Sequence, residues 1–243
     1  MNSNYNRFFI PTPISTGQFL ELPDYVINKL VNTLRQKQGD KIRIFNGDKE
    51  FLATISELET RRIKIMVGEE LTHINDSPLK LHLFQCVLKN HNMDLVIQKV
   101  TELGGADFTP VLSKNSLVKL QASKIEKKMA HWREISRHAA EQCGRINLLK
   151  INHPIKLEQL FTQNNIEDCF ILNPTIGIRL LELKRVKSKV SICCGPEKGF
   201  DKAEVEFLTD VGFKNVRLGP RILRAETAAI SAISTLQTVW GDL

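Results

Sequence analysis

The sequence predicts an α/β protein in which a mostly parallel sheet flanked by helices follows a small β-barrel. Three observations support this class. The first 77 residues break into short runs of β-branched and aromatic residues around one helical segment. From Leu79 onward, apolar runs alternate with amphipathic helical segments, the order that builds parallel sheets through right-handed crossovers. Two of those runs, 190–194 and 216–218, end in Gly195-Pro196 and Gly219-Pro220, and ligands bind at the carboxyl ends of parallel strands.

At 243 residues, with 42% hydrophobic and 25% charged residues, the chain has the make-up of a globular protein with a sizeable core. No apolar run approaches the roughly 18 residues that cross a bilayer, and the start MNSNYNR lacks the apolar centre of a signal peptide. A cytoplasmic protein with no membrane partner is expected. Cys86, Cys143, Cys169, Cys193 and Cys194 are odd in number and contain no C-x-x-C pair, which predicts buried reduced thiols and no metal site. The net charge of +7 is unevenly spread. Residues 1–77 carry ten basic and ten acidic side chains, residues 78–243 carry 24 and 17, and the excess concentrates at 114–150 and 178–189. A localised basic surface suits a polyanion such as RNA, although lysines on a helix also serve solubility alone.

In order along the chain, strands are predicted at 7–10, 18–22, 41–45, 50–58 and 61–67. Asn46-Gly47-Asp48 marks a hairpin turn, and a helix from Asp24 to its stop at Gly39 carries the stripe Val26, Ile27, Leu30, Val31 and Leu34. This domain is electrically neutral, so RNA binding by it would depend on a local patch such as Arg35, Lys37, Lys41 and Arg43. The polar stretch 72–78, closed by Pro78, separates an RNA-binding domain at 1–74 from a second domain at 75–243.

The second domain opens with an apolar strand at 79–88 and a helix at 93–103 ending in Gly104-Gly105, then a strand at 108–112. Ser123 caps a long helix to Cys143 with the stripe Ile125, Met129, Trp132, Ile135 and Ala139. Its other faces carry Lys124, Lys127, Lys128, Arg133 and Arg137, either an RNA face or a solvated one. At its end stand Glu141, Gln142 and Arg145, residue types that hold a base and a phosphate, or that merely satisfy the helix terminus. A strand at 148–151, a helix at 157–162 and a strand at 169–172 follow, the last ending at Asn173-Pro174. The final stretch reads strand, Gly-Pro loop, helix capped by Asp201 with Glu204, strand, second Gly-Pro loop and an Ala-rich helix at 225–240. Each Gly-Pro pair combines a residue free to take positive φ with one of fixed φ. The second loop brings Arg221, Arg224, Glu226 and Thr227 to a helix start. Two tight turns and a capped helix would also fit these residues.

Walker A, G-x-G-x-x-G and G-x-S-x-G sequences are absent, which disfavours nucleotide hydrolysis, a standard dinucleotide fold and an α/β-hydrolase. What remains is a cleft of stiff backbone loops with arginines and carboxylates beside it. GPEKGF at 195–200 and LGPRILRAETA at 218–228 resemble the signature of the RsmE family, 16S ribosomal RNA (uracil-N3)-methyltransferases of the SPOUT superfamily. MDLVIQKVTELG at 93–104, AAEQCGR at 139–145 and LRQKQGDKIRIFNG at 34–47 are similar to other segments of that family, so the likeness spans the chain.

The resemblance implies an N-terminal PUA-like β-barrel, a C-terminal SPOUT domain with a trefoil knot, and a homodimer acting on 16S ribosomal RNA or the 30S subunit. It implies S-adenosylmethionine as cofactor, lined by Leu172, Asn173, Gly195, Pro196, Glu197, Gly199, Leu218, Gly219, Ile222 and Leu223. Arg224, Glu226 and Thr227 would face the reacting centre, with Arg145, Glu141 and Gln142 reaching it from a partner subunit. Methyl transfer to uracil N3 needs in-line placement, loss of the N3 proton and an unstacked base. Arginine would stabilise the charge on the ring, and Glu226 or Glu141 would serve as base or orienter. A SPOUT enzyme with another target nucleotide, or an RNA-binding protein without catalysis, are the alternatives. Lys198, Lys29 and Leu149 depart from the family pattern, which there has glycine, histidine and proline.

Overall fold

A computed structural model describes residues 5–59, 62–72, 77–118, 120–162, 168–184 and 188–243, without the side chains of 122, 161 and 162. The expected linker residues 73–76, Arg61 of one expected strand and 185–187 of the basic run lie outside the described residues. The chain forms two compact units, 1–76 with 140–147 and 77–139 with 148–243. Residues 140–147, which the sequence assigns to the second domain, thus group with the first.

In the first unit, β1 (Arg7–Phe9), β2 (Phe19–Glu21), β3 (Lys41–Phe45), β4 (Glu50–Leu58) and β5 (Ile63–Leu71) form one sheet in the order β1-β3-β4-β5-β2. Only β1 and β3 are parallel; the other pairs are antiparallel. The hairpin between β3 and β4 turns at Gly47, φ 94°, where Asn46 Oδ1 accepts the N–H groups of Asp48 and Lys49. Inward residues such as Phe8, Ile42, Ile44, Phe51, Ile55 and Ile65 bury the core against Val26, Ile27 and Leu30.

The helix of this unit differs from expectation. Pro23, not Asp24, occupies the N-cap, and α1 (Asp24–Asn28) widens into a π-helical turn, Lys29–Leu34. It stops at Arg35, in the left-handed conformation at φ 51°, and not at Gly39. The N–H of Gln36 reaches back to the carbonyl of Leu30, and a left-handed residue is what such a C-terminal closure requires.

The second unit contains β6 (Lys80–Cys86), α2 (Asn90–Glu102), β7 (Asp107–Leu112), α3 (Ile125–Cys143, its last turn in the first unit), β8 (Lys150–Ile151) and β9 (Ile155–Lys156). They are followed by β10 (Cys169–Leu172), β11 (Ile178–Arg179), β12 (Lys189–Cys194), α4 (Lys202–Asp210), β13 (Lys214–Arg217) and α5 (Ala225–Trp240). The sheet order is β11-β13-β10-β12-β6-β7-β8, with β9 beside β7, and every pair is parallel. Alternation along the strands serves both faces. Leu81, Leu83, Ile192 and Cys194 pack with α2, α3 and α5, whereas Phe84, Cys86 and Cys193 pack with Leu208 of α4. Asp201 caps α4 as expected, exchanging bonds with Glu204 in a capping box. The 157–162 segment is a 3-10 helix, and β9 and β11, two residues each, carry no sequence signal strong enough to foresee them.

All five cysteines are free; Cys86, Cys193 and Cys194 are buried, and burial pushes their thiols well up. Among the described residues no helix is long and apolar enough to cross a membrane.

His82 of β6 is mostly buried, with its ring 3.9 Å from that of Phe84 and Nε2 2.7 Å from Thr109 Oγ1, which also accepts Asn152 Nδ2 at 3.0 Å. Burial lowers its pKa from 6.5 to about 4; Asp107 opposes this and Lys150 adds to it. Between those values the unfolded chain binds a proton that the folded one does not. Stability therefore falls as pH drops from 7 towards 4, by about 2–3 kcal/mol from this group at pH ~4.5. Urea unfolding at both pH values should show that extra loss in the wild type and not in His82→Gln.

Candidate active site

Register sets the site. Ile171 of β10 pairs with Cys193 of β12, Leu172 with Val216 of β13, and Cys194 with Gln85 of β6, so the carboxyl ends of these strands stand side by side. The loops that leave them enclose a cavity of about 390 Å³. Leu172, Asn173, Gly195, Pro196, Glu197, Gly199, Leu218, Gly219, Ile222 and Leu223 all line it. So do Pro174, Thr175, Cys194, Lys198, Phe200, Val205, Arg221, Ala225 and Ala228, which sequence reasoning did not name for it. Pro174, Cys194, Phe200, Val205, Ala225 and Ala228 are apolar or small and carry no chemical signal, whereas Arg221 and Lys198 were visible as charged loop residues without a cofactor role.

The loops gain their stiffness differently than expected. Neither Gly195 nor Gly219 has positive φ; Gly199 does, at 72°, where its N–H closes a turn on the carbonyl of Pro196. Gly195 is instead constrained by space, since a Cβ there would stand 3.2 Å from the Phe200 ring. Lys198 has ordinary negative φ and is exposed, so its backbone does not need glycine. Asn173 shapes its own loop: Oδ1 accepts the N–H groups of Thr175 and Ile176, and Nδ2 donates to Asn215 Oδ1.

The second loop places Arg224 at the N-cap of α5, exposed, and Thr227 exposed one turn on. Glu226 is buried, and among the described residues no hydrogen bond or ion pair holds it. None of these three lines the cavity, while Ala225 and Ala228 between them do.

Glu141 and Arg145 are buried in the first unit, and Gln142 is exposed. Both carboxylate oxygens of Glu141 are engaged, one by the N–H of Phe9 (3.2 Å) and one by Lys29 Nζ (3.1 Å). The residue that satisfies this helix terminus is Arg7, which donates to the carbonyls of Ala140, Glu141 and Arg145. Arg7 also forms a two-pronged pair with Glu50, which is fully buried and bonded to Arg43 as well. An arginine opening an apolar strand was the one available sign of this role. Of the expected RNA-facing cations, Arg35, Lys37, Lys41, Lys127 and Arg133 are exposed. Lys128 donates to Asn90 Oδ1 and Arg137 lies beside Glu134 and His138.

Comparison with known proteins bears on this arrangement. Residues 75–237 match the family model of the RNA methyltransferase domain. A ribosomal RNA small subunit methyltransferase E of Buchnera aphidicola is 32% identical over 99% of this chain and 96% of its own. The chain belongs to the ribosomal RNA small subunit methyltransferase E family. Among solved structures, the Legionella pneumophila protein Lpg2936, in complex with bound SAM, superposes with a TM-score of 0.96 at 36% identity over 99% of this chain and 100% of that one. The family enzyme of Neisseria gonorrhoeae bound to S-adenosyl methionine gives 0.93 at 32% over 99% and 100%.

The protein is an S-adenosylmethionine-dependent RNA methyltransferase, and the residues around the cavity fit that cofactor. The volume lies in the range of small-molecule sites. The lining mixes apolar side chains with exposed loop backbone, and Glu197 Oε2, buried and without a hydrogen-bond partner, is an acceptor left for hydroxyl or amino donors. Because Lys198 needs no positive φ, Lys198→Gly should leave the S-adenosylmethionine affinity within about twofold by calorimetry. Gly199→Val, at positive φ, should weaken it at least about tenfold.

Proposed function

We propose that the protein methylates N3 of a uridine in 16S ribosomal RNA, in the cytoplasm during maturation of the small subunit, with naked RNA or the 30S subunit as substrate. The observation that carries this reading is the LGPRILRAETA segment, which both closes the cavity and starts α5 with Arg224 and Glu226. Relatives over the full chain length bear the name ribosomal RNA small subunit methyltransferase E.

Leu172, Asn173, Gly195, Pro196, Glu197, Gly199, Leu218, Gly219, Ile222 and Leu223 would hold the cofactor, largely through backbone groups. When bound, the cofactor supplies an electrophilic methyl group on sulfur. The chain's residues have the remaining tasks. Arg224, exposed at the helix start, places a guanidinium where it can stabilise the negative charge of a uracil that has lost its N3 proton. Glu226, buried and unpartnered among the described residues, is the carboxylate free to take that proton. Glu141, with both oxygens occupied, fits the role of a holder for the 140–147 segment and its Arg145 better than that of a base.

The insertion of β13 between β10 and β11, two strands consecutive in the chain, supports a knotted C-terminal domain of SPOUT type. The five-stranded sheet that shares its core with Val26, Ile27 and Leu30 of the helical segment supports a PUA-like, RNA-binding barrel at 1–74. Exposed apolar side chains at Ile176, Ile178, Leu181 and Ile222 support a homodimer, whose partner would bring Arg145 and Gln142 to the target base.

Arg224→Ala should lower methylation at least about a thousandfold with cofactor affinity and melting temperature kept. Mass mapping of 16S RNA from a deletion strain complemented by each form checks the target. Methyl loss at any nucleotide other than a 16S uridine would contradict the proposal.

A further inference from the structure

The first loop of the cavity, 195–199, is held from behind by groups that do not line it. Gln85, at the end of β6, is fully buried, and its Nε2 donates to the carbonyl of Gly195 at 3.3 Å and to that of Cys86 at 3.0 Å. Its Oε1, also buried, has no hydrogen-bond partner. Asn115, in the turn after β7, donates Nδ2 to the carbonyl of Gly199 at 3.2 Å. Between these two points Glu197 Oε1 accepts the N–H of Lys89, which precedes α2.

A buried carboxamide with one atom unsatisfied is costly, and a nonpolar side chain of the same length would fill the space as well. What Gln85 achieves in return is local: it ties a carbonyl of the loop to the neighbouring strand. Asn115 does the same for the loop's other end. The loop's side-chain packing comes from buried Pro196 and from Phe200, which lies against Gly195 and the core cluster of Phe84, Cys193 and Leu208; the amides add hold on the carbonyls of Gly195 and Gly199 themselves. A pocket made of backbone groups depends on where the backbone is held, since displacements of about 1 Å spoil both contact and alignment.

We infer that Gln85 and Asn115 are positioning residues for cofactor binding: two side-chain amides that clip the two ends of the 195–199 loop to the carboxyl ends of β6 and β7. Neither residue touches the cavity. The inference rests on the proposed use of that cavity by S-adenosylmethionine.

The test compares Gln85→Met, Asn115→Ala and the cavity-filling Ala228→Trp in steady-state methylation with a 16S RNA fragment, alongside thermal melts. Met keeps the length of Gln85 and removes the orphaned acceptor, so the melting temperature should stay within about 3 °C. Each clip variant should raise KM for S-adenosylmethionine about tenfold, with KM for RNA unchanged and kcat within about threefold. A lowered melting temperature with KM for S-adenosylmethionine unchanged in both variants would make the amides merely structural and overturn the inference. Asn115, half-buried on a loop, keeps the test open if Gln85→Met does not fold. Ala228→Trp separates the two levels: cofactor binding kept in that variant overturns the cavity reading and the inference with it. Binding lost there but unchanged in the clip variants overturns the inference alone.

Discussion

The position of β13 between β10 and β11 is the constraint on which the second unit depends. β10 and β11 are consecutive in the chain, yet a later strand lies between them, and all three run parallel. Residues 173–177 must therefore pass β13 at close range. At Gly177 the approach is so tight that a Cβ would stand 2.2 Å from the Asn215 carbonyl oxygen, and φ is 101°, so glycine is needed on both counts. With that crossing in place, Leu172 and Val216 share a row, and the loops after β10, β12 and β13 face one another around the cavity. A pocket built this way needs few special side chains, because its donors and acceptors are backbone groups that a parallel sheet leaves at its carboxyl edge.

A second constraint organises the first unit. Glu50 is fully buried and paired with Arg7 and Arg43, and Arg7 extends to three carbonyls at the end of α3 while its guanidinium lies 4.4 Å from the Phe45 ring. Removing Glu50 from this buried set would leave two arginines without their carboxylate, a loss of about 3–5 kcal/mol. The helix end carrying Glu141, Gln142 and Arg145 is thereby fixed to the sheet by its backbone. Its side chains are then free to differ in role: Glu141 is consumed by Phe9 and Lys29, and Gln142 is exposed.

Much of this was legible in the residues because it rests on local pattern. Continuous apolar runs marked β6 and β12, helical spacing marked α2 and α3, and Ala-rich composition marked α5. The Asp201-Glu204 capping box and the Asn46-Gly47 turn are local chemistry and appear as read. The cavity-lining residues followed from a family resemblance whose motifs are contiguous. What stayed hidden depends on contacts distant in sequence. The grouping of 140–147 with the first unit turns on bonds between Arg7 and carbonyls more than 130 residues away. Strand order at the β11 edge is equally non-local, and no periodicity encodes an insertion. The loop glycines show a finer failure: composition flagged Gly195 and Gly219, but the positive φ falls on Gly199, and Gly195 is set by the Phe200 ring.

The central claim is that one backbone-built pocket at three strand ends receives the cofactor. Hydrogen–deuterium exchange with and without S-adenosylmethionine tests it most directly, because protection reports on backbone groups whatever the side chains do. The account predicts added protection confined to the segments at 172–175, 195–200 and 218–225. Protection absent from those segments, and found instead in the first unit or along β7, would contradict it.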